Sequence, residues 1–265
     1  MAQARKSPGF ERNPGYRIDV EPSPRRVRVA FAGATVADTT RALLLLEQNH
    51  LPVYYFPMED VRRDLLIPTT HRTHCPYKGD ASYWTIKVGE RTAENAVWGY
   101  QDPFDETAAI RGTVAFYWNR VDHWYEEDEE IFVHPRDPHK RVDVVESHRP
   151  VEVILGGQTV AKSTRARFLF ETGLPTRYYL PADDVRLDLL TPSATVTRCP
   201  YKGTARYWSA TVGGRTWDDI AWSYPDPIPE CPRIKDRIAF YNENVDEIRV
   251  GGEIVPKVRT KWSKE

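Results

Sequence analysis

A thiol, a phenol and an ammonium stand together in Cys75-Pro76-Tyr77-Lys78-Gly79, and the same five residues return as Cys199-Pro200-Tyr201-Lys202-Gly203. Proline fixes φ at the front of such a turn, and glycine takes φ > 0 at its end. A turn of this kind can fold Lys78 back toward Cys75, and an ammonium beside a thiol lowers its pKa and exposes a nucleophile. The plainer reading makes Cys75 a small buried hydrophobe and Lys78 a solvated turn residue. Apart from the reactivity of the cysteine, the turn is expected to form part of a pocket wall.

Carboxylates recur with it. Glu47 and Glu171 each end an apolar run, where a carboxylate costs energy unless it is paired. Arg41 lies six positions back, about 20 Å along an extended chain, so Lys78 or a tyrosine hydroxyl is the better partner for Glu47. Asp60 and Asp64 stand four apart on a predicted helix, as do Asp184 and Asp188. Like charges at that spacing repel by about 0.2–0.5 kcal/mol, which asks for a partner. Asp60 and Asp184 are therefore candidate acid/base groups or polar anchors; the alternative is a helix cap, with Asp64 paired to Arg62, Arg63 or Arg72. The catalytic candidates are Cys75, Lys78, Glu47 and Asp60, with Cys199, Lys202, Glu171 and Asp184 in the second copy. Tyr55, Tyr77 and Tyr83, with Tyr179, Tyr201 and Tyr207, are candidate ligand contacts, or else amphipathic barrel residues.

No metal site is expected. His71, His74 and Cys75 would make a cluster, but the second copy has Thr195 and Arg198 at the histidine positions, and no C-x-x-C is present. No cofactor is expected either, since neither a GxSxG, a Walker-type nor a GxGxxG sequence occurs.

The elements that hold these residues come from one unit written twice. Arg17-Ile18-Asp19-Val20 matches Arg141-Val142-Asp143-Val144, Trp98-x-Tyr100 matches Trp222-x-Tyr224, and Ala115-Phe116-Tyr117 matches Ala239-Phe240-Tyr241, all at an offset of 124. The expected division is a disordered leader at 1–12, a first domain at 13–134, a linker at 135–137, a second domain at 138–257 and a tail at 258–265. Within a unit the periodicity is mostly two. Ala42–Glu47 reads as helix or strand, and its copy, with Phe168 and Phe170 in alternation, favours a strand. Trp84, Ile86 and Val88 share one strand face, and Tyr83, Thr85 and Lys87 the other. Pro57–Leu66 reads as the one short helix, opened by proline, with acids in its first turn and Val61 stacked on Leu65. The fold class is mainly β: two small bent-sheet or barrel domains. A short linker between homologous units predicts an internal pseudo-dimer with approximate twofold symmetry, monomeric or weakly dimeric.

The formal charge of −1 and the absence of a basic tract argue against nucleic acid. The longest apolar run, Ala42–Leu46, is five residues, far short of the roughly 20 that span a bilayer. A polar start and three widely spaced cysteines predict a cytoplasmic protein with reduced thiols.

The order R-A-L-L-L-L-E, then P-V-Y-Y-F-P-x-E-D-V, then C-P-Y-K-G-x-A-x-Y resembles the bacterial and fungal family called domain of unknown function 427, in its tandem form. The resemblance implies a β-tent type of fold, the class that includes methionine-R-sulfoxide reductases and other zinc-carrying relatives. This chain lacks the paired cysteines that hold zinc there. The family also carries a nucleotidyltransferase label, but neither a Gly-Ser signature followed by an Asp-x-Asp pair nor a glycine-rich phosphate cradle is present. The expected function is that of an enzyme or enzyme-like protein with a pocket in each unit for a small polar metabolite. The alternative is a non-catalytic binding or scaffold module.

Overall fold

A computed structural model describes residues 5–264. The chain divides into two compact units between Asp137 and Pro138. The first contains β1 (Ile18–Pro22), β2 (Val27–Phe31), β3 (Ala34–Thr39), β4 (Leu43–Glu47), β5 (Val53–Pro57), β6 (Leu66–Cys75), β7 (Gly79–Val88), β8 (Arg91–Tyr100), β9 (Thr113–Phe116), β10 (His123–Glu126) and β11 (Glu129–Ile131). They form a seven-stranded sheet of order β1-β4-β5-β9-β8-β7-β6 and a four-stranded sheet of order β11-β10-β2-β3. The second unit contains β12 (Val142–Glu146), β13 (Val151–Leu155), β14 (Gln158–Ser163), β15 (Arg167–Glu171), β16 (Arg177–Pro181), β17 (Leu190–Cys199), β18 (Gly203–Val212), β19 (Arg215–Ser223), β20 (Arg237–Phe240), β21 (Glu247–Val250) and β22 (Glu253–Ile254). Its two sheets repeat the same orders.

Alternation along each strand of the large sheet feeds two separate cores. In β4, Leu44 and Leu46 turn toward the four-stranded sheet and join Val27, Val29, Val36 and Trp124 in a sandwich core. Leu43 and Leu45 turn the other way, into a second core with Tyr55, Tyr83, Tyr100 and Ala115. A strand buried on both faces reads as a continuous apolar run, which is why LLLL looked helical. In β7, Trp84, Ile86 and Val88 face the sandwich and Tyr83 faces the second core, as the alternation predicts.

The second core lies on the concave side of the large sheet. Four strand spacings separate β4 from β7 in the sheet order, roughly 19 Å if the sheet were flat. Yet Lys78, at the head of β7, forms an ion pair with Glu47 at the end of β4. The sheet must therefore curl strongly, and the register shifts at Pro68/Arg72 and Trp84/Ile86 are bulges that supply bend and twist. It stays open: β1 and β6 remain its edges, and no closed barrel forms.

Two expectations are corrected. Pro57–Leu66 is not a helix but two single 3-10 turns, Met58–Asp60 and Arg63–Leu65, separated by an extended Val61 with φ −111° and ψ 139°. Val61 bridges Ala37 of β3, and the Arg62 N–H donates to the Val36 carbonyl at 2.8 Å. The edge of β3 thus takes the backbone donor a helix would have used, and Val185 with Arg186 repeats the arrangement in the second unit. The leader is also ordered where it is described. Ser7 caps a helix at Pro8–Arg12, and its hydroxyl and the Gly9 N–H both donate to the Pro76 carbonyl at 2.9 Å. A Cβ on Gly9 would sit 2.6 Å from the Tyr77 ring, so glycine lets this segment press onto the turn. Residues 1–4 lie outside the described residues.

Candidate functional site

The Cys-Pro-Tyr-Lys-Gly turn closes the hairpin between β6 and β7, with Cys75 opposite Gly79. Gly79 has φ +101° and Gly203 has φ +105°, in the left-handed region where side chains are strained. A Cβ on Gly203 would also lie 3.1 Å from the Asp226 carbonyl, so both conformation and space require glycine. The loop after β8 packs here: the Phe104 N–H donates to the Lys78 carbonyl at 3.3 Å, and the Ile228 N–H to the Lys202 carbonyl at 3.2 Å. Fixed in this way, the lysine side chain runs inward under the curled sheet.

There it meets Glu47. The Lys78 ammonium donates to one oxygen of Glu47, with the two side chains 8% and 11% exposed. In the second unit Lys202 donates to Glu171, at 10% and 6% exposure. Lys78 or a tyrosine was the expected partner of Glu47, and both are present. The Tyr16 hydroxyl donates to the other Glu47 oxygen at 3.0 Å. Burial, then the carboxylate it serves, pushes the Tyr16 phenol up to about 12. The Tyr16 ring stacks on Tyr77 with centroids 4.1 Å apart, and Phe10 of the leader stands edge-on to Tyr77. The position of Tyr16 in the repeat belongs to Lys140 in the second unit. Its ammonium lies 3.7 Å from the second Glu171 oxygen and 5.6 Å from the centre of the Tyr201 ring.

An aromatic wall continues the concave face. Tyr55 and Tyr179 are interior, at 2% and 0% exposure, and burial raises both phenols. The Trp222 indole donates to Tyr179 at 3.0 Å, and Trp98 meets Tyr55 edge-on in the first unit. Tyr83 shares a hydrogen bond with Thr73, and Tyr207 one with Thr197, each at 2.9 Å. Tyr117 packs on Trp98, and burial together with Tyr83 pushes its phenol up to about 12. Cys75 and Cys199 are half-buried against these same cores. The ammonium that the turn was expected to bring toward the thiol is directed to the glutamate instead. The third thiol, Cys231, is a core residue whose pKa burial pushes up to about 11, which leaves it inert near neutrality.

Asp60 and Asp184 are not brought to these pairs. Asp60 accepts from Thr39 at 2.6 Å and from Arg41 at 2.8 Å, and Asp184 accepts from Ser163 and Arg165 in the same way. These donors hold both carboxyls below the usual range. Each aspartate ties a 3-10 turn to the strand beside it, a structural task that leaves no oxygen unengaged. Asp64 and Asp188 pair with Arg62 and Arg186 on the surface, so the helical spacing that drew attention to them does not exist. Among the described residues no group of His, Cys, Asp and Glu is placed to hold a metal ion. A shallow cleft of about 340 Å³ lies elsewhere in the first unit, lined by Phe31, Arg91, Glu94, Arg120 and Asp122. Its arginines are engaged: Arg91 forms a bidentate pair with Asp122, and Arg120 donates to the Glu94 and Asn95 carbonyls.

Tyr16, Lys140, Trp98, Tyr117 and Thr73 were not singled out from sequence. The signal was available for two of them. Ala115 and Tyr117 share a face by alternation, and Tyr16 stands two residues before β1, which pairs with β4 with Ile18 opposite Glu47.

The two repeats match one family model, described as a domain of unknown function (DUF427), over residues 19–127 and again over 143–251. The chain belongs to the DUF427 family. Each match covers most of one two-sheet unit, including its turn and its glutamate–lysine pair but not its last strand, so the tandem DUF427 form and the internal duplication are the same fact. No curated protein matches the chain.

Proposed function

We propose that each half of this DUF427 protein binds a small polar metabolite on the concave face of its large sheet, and that the protein is an enzyme or enzyme-like binder acting on that ligand. One observation carries the reading: a buried glutamate–lysine pair, Glu47–Lys78 and Glu171–Lys202, recurs in both halves. Taking two charges out of water is costly, and an apolar pair of similar volume commonly stabilises a fold as well or better. A pair kept twice in one chain is better explained by what it can hold. The lysine offers a donor to an anionic or carbonyl oxygen. The glutamate accepts from the ligand and can move a proton, and Cys75 lines the same face. The competing role, a scaffold device, is favoured by the fact that each pair is already satisfied internally.

Glu47→Gln together with Glu171→Gln separates the two. The shape remains and each lysine keeps a neutral acceptor while the charge goes, so the expected result is a chain that still folds, with a lowered melting temperature and with ligand affinity lowered by about 1.5–3 kcal/mol, tenfold or more. Ligands come from a metabolite library scored by thermal shift. Unaltered affinity in the double variant, or a collapse of stability with no ligand found for the parent, would make the pair structural.

The same reading makes the protein cytoplasmic and monomeric or weakly dimeric, with each half a β-tent variant. It is supported by three unpaired cysteines. No helix among the described residues is long and apolar enough to cross a membrane.

A further inference from the structure

The two sites are built alike but do not carry the same charge. In the first half the ammonium of Lys78 and the carboxylate of Glu47 balance, and the third group, Tyr16, is a neutral phenol. In the second half Glu171 faces two ammonium groups, the buried Lys202 and the half-buried Lys140, so the cluster carries one more positive charge. The mouth of the hairpin changes in the same sense. His74 stands opposite Asp80 and bonds to it at 2.7 Å, whereas the matching strand pair in the second half is Arg198 and Thr204. At the first mouth Asp80 is also within 3.6 Å of the Arg5 guanidinium, so the net change there is the gain of the Arg198 charge. In the first half Phe10 and Tyr16 lie against Tyr77, and in the second the Lys140 ammonium lies over the Tyr201 ring.

We infer that the two halves take ligands of different charge: the second half an anionic metabolite, a small carboxylate or phosphate, and the first half a neutral or zwitterionic one. Resting on the binding reading above, this inference names the ligand class of each site. Lys140 is the specificity residue of the second site. Lys140 and Lys202 share the single carboxylate of Glu171, which leaves one ammonium charge unmatched for a carboxylate or phosphate oxygen, whereas at the first site the one ammonium, Lys78, is matched by Glu47 and the third group is a phenol.

The test is a titration of the full chain with inorganic phosphate and with acetate, followed by amide NMR shifts. Shifts are expected at Tyr201–Gly203 and not at Tyr77–Gly79. Lys140→Tyr should weaken anion binding about tenfold, Lys140→Arg should retain it, and Tyr16→Lys should confer it on the first hairpin. Equal anion response in both halves, no response in the second, or an unchanged affinity in Lys140→Tyr would overturn the inference. If library ligands still bind and are still lost in the Glu→Gln variants, the shared-site reading survives that failure. If no ligand of any charge shifts either hairpin, both readings fall together.

Discussion

Lys78→Ala is expected to lower the stability of the first unit by about 3–5 kcal/mol, because it leaves the Glu47 carboxylate buried with only the Tyr16 hydroxyl for a partner. Replacing both members at once, Lys78→Met with Glu47→Leu, should return stability close to the parent or above it, since neither charge is then buried alone. Denaturant unfolding followed by tryptophan fluorescence measures both. The contrast is what matters. A large loss on breaking the pair and none on removing it whole means the pair contributes no net stability. Its presence in both halves then calls for a functional reason. A loss below about 1 kcal/mol for Lys78→Ala would be the value of a solvated pair, and would mean the turn does not hold the lysine inside in solution.

Phe56→Ala should cost a comparable amount, about 3–5 kcal/mol, by a different route. Phe56 is fully buried between the two sheets, edge-on to Phe116 at 5.3 Å and 5.9 Å from Trp124. Its removal opens a volume that the strands on either side, pinned by backbone pairing, cannot close. Because Phe56 faces the sandwich while its neighbour Tyr55 faces the second core, the variant should leave ligand affinity intact at temperatures where it stays folded. Denaturation midpoints and a binding titration on the same sample check the two halves of that statement. An affinity loss matching that of Glu47→Gln would show that the two cores are not separable.

The large features were legible because they follow from alternation and repetition. The offset of 124 displayed both units, and Arg167 to Glu171 showed that LLLL was a strand. The partner of Glu47 was also within reach, since a carboxylate at the end of an apolar run needs a donor, Arg41 lies too far along the strand, and the turn lysine recurs in both copies. The helix at Pro57–Leu66 failed for a tertiary reason. Proline, early acids and an i, i+4 apolar pair are satisfied equally by two 3-10 turns, and only the edge of β3 decides between them. That edge also absorbed Asp60 and Asp184 into structural clusters, which no local pattern displays. The leader looked disordered because it is short and polar, yet its order comes from Pro76 and Tyr77, some seventy residues away in sequence. The curl of the large sheet was equally hidden: register shifts are not written in side-chain alternation, and without the curl Glu47 and Lys78 would not meet.

The central claim is that the paired glutamate–lysine faces are where ligand binds. The most direct measurement is an amide NMR titration of the full chain with the library compound that most raises its melting temperature. The account predicts the largest shifts at Lys78 and Gly79 with Glu47, or at Lys202 and Gly203 with Glu171, and their disappearance in the corresponding Glu→Gln variant. Shifts confined to the cleft around Phe31, Arg91, Arg120 and Asp122, with both hairpins silent, would contradict it.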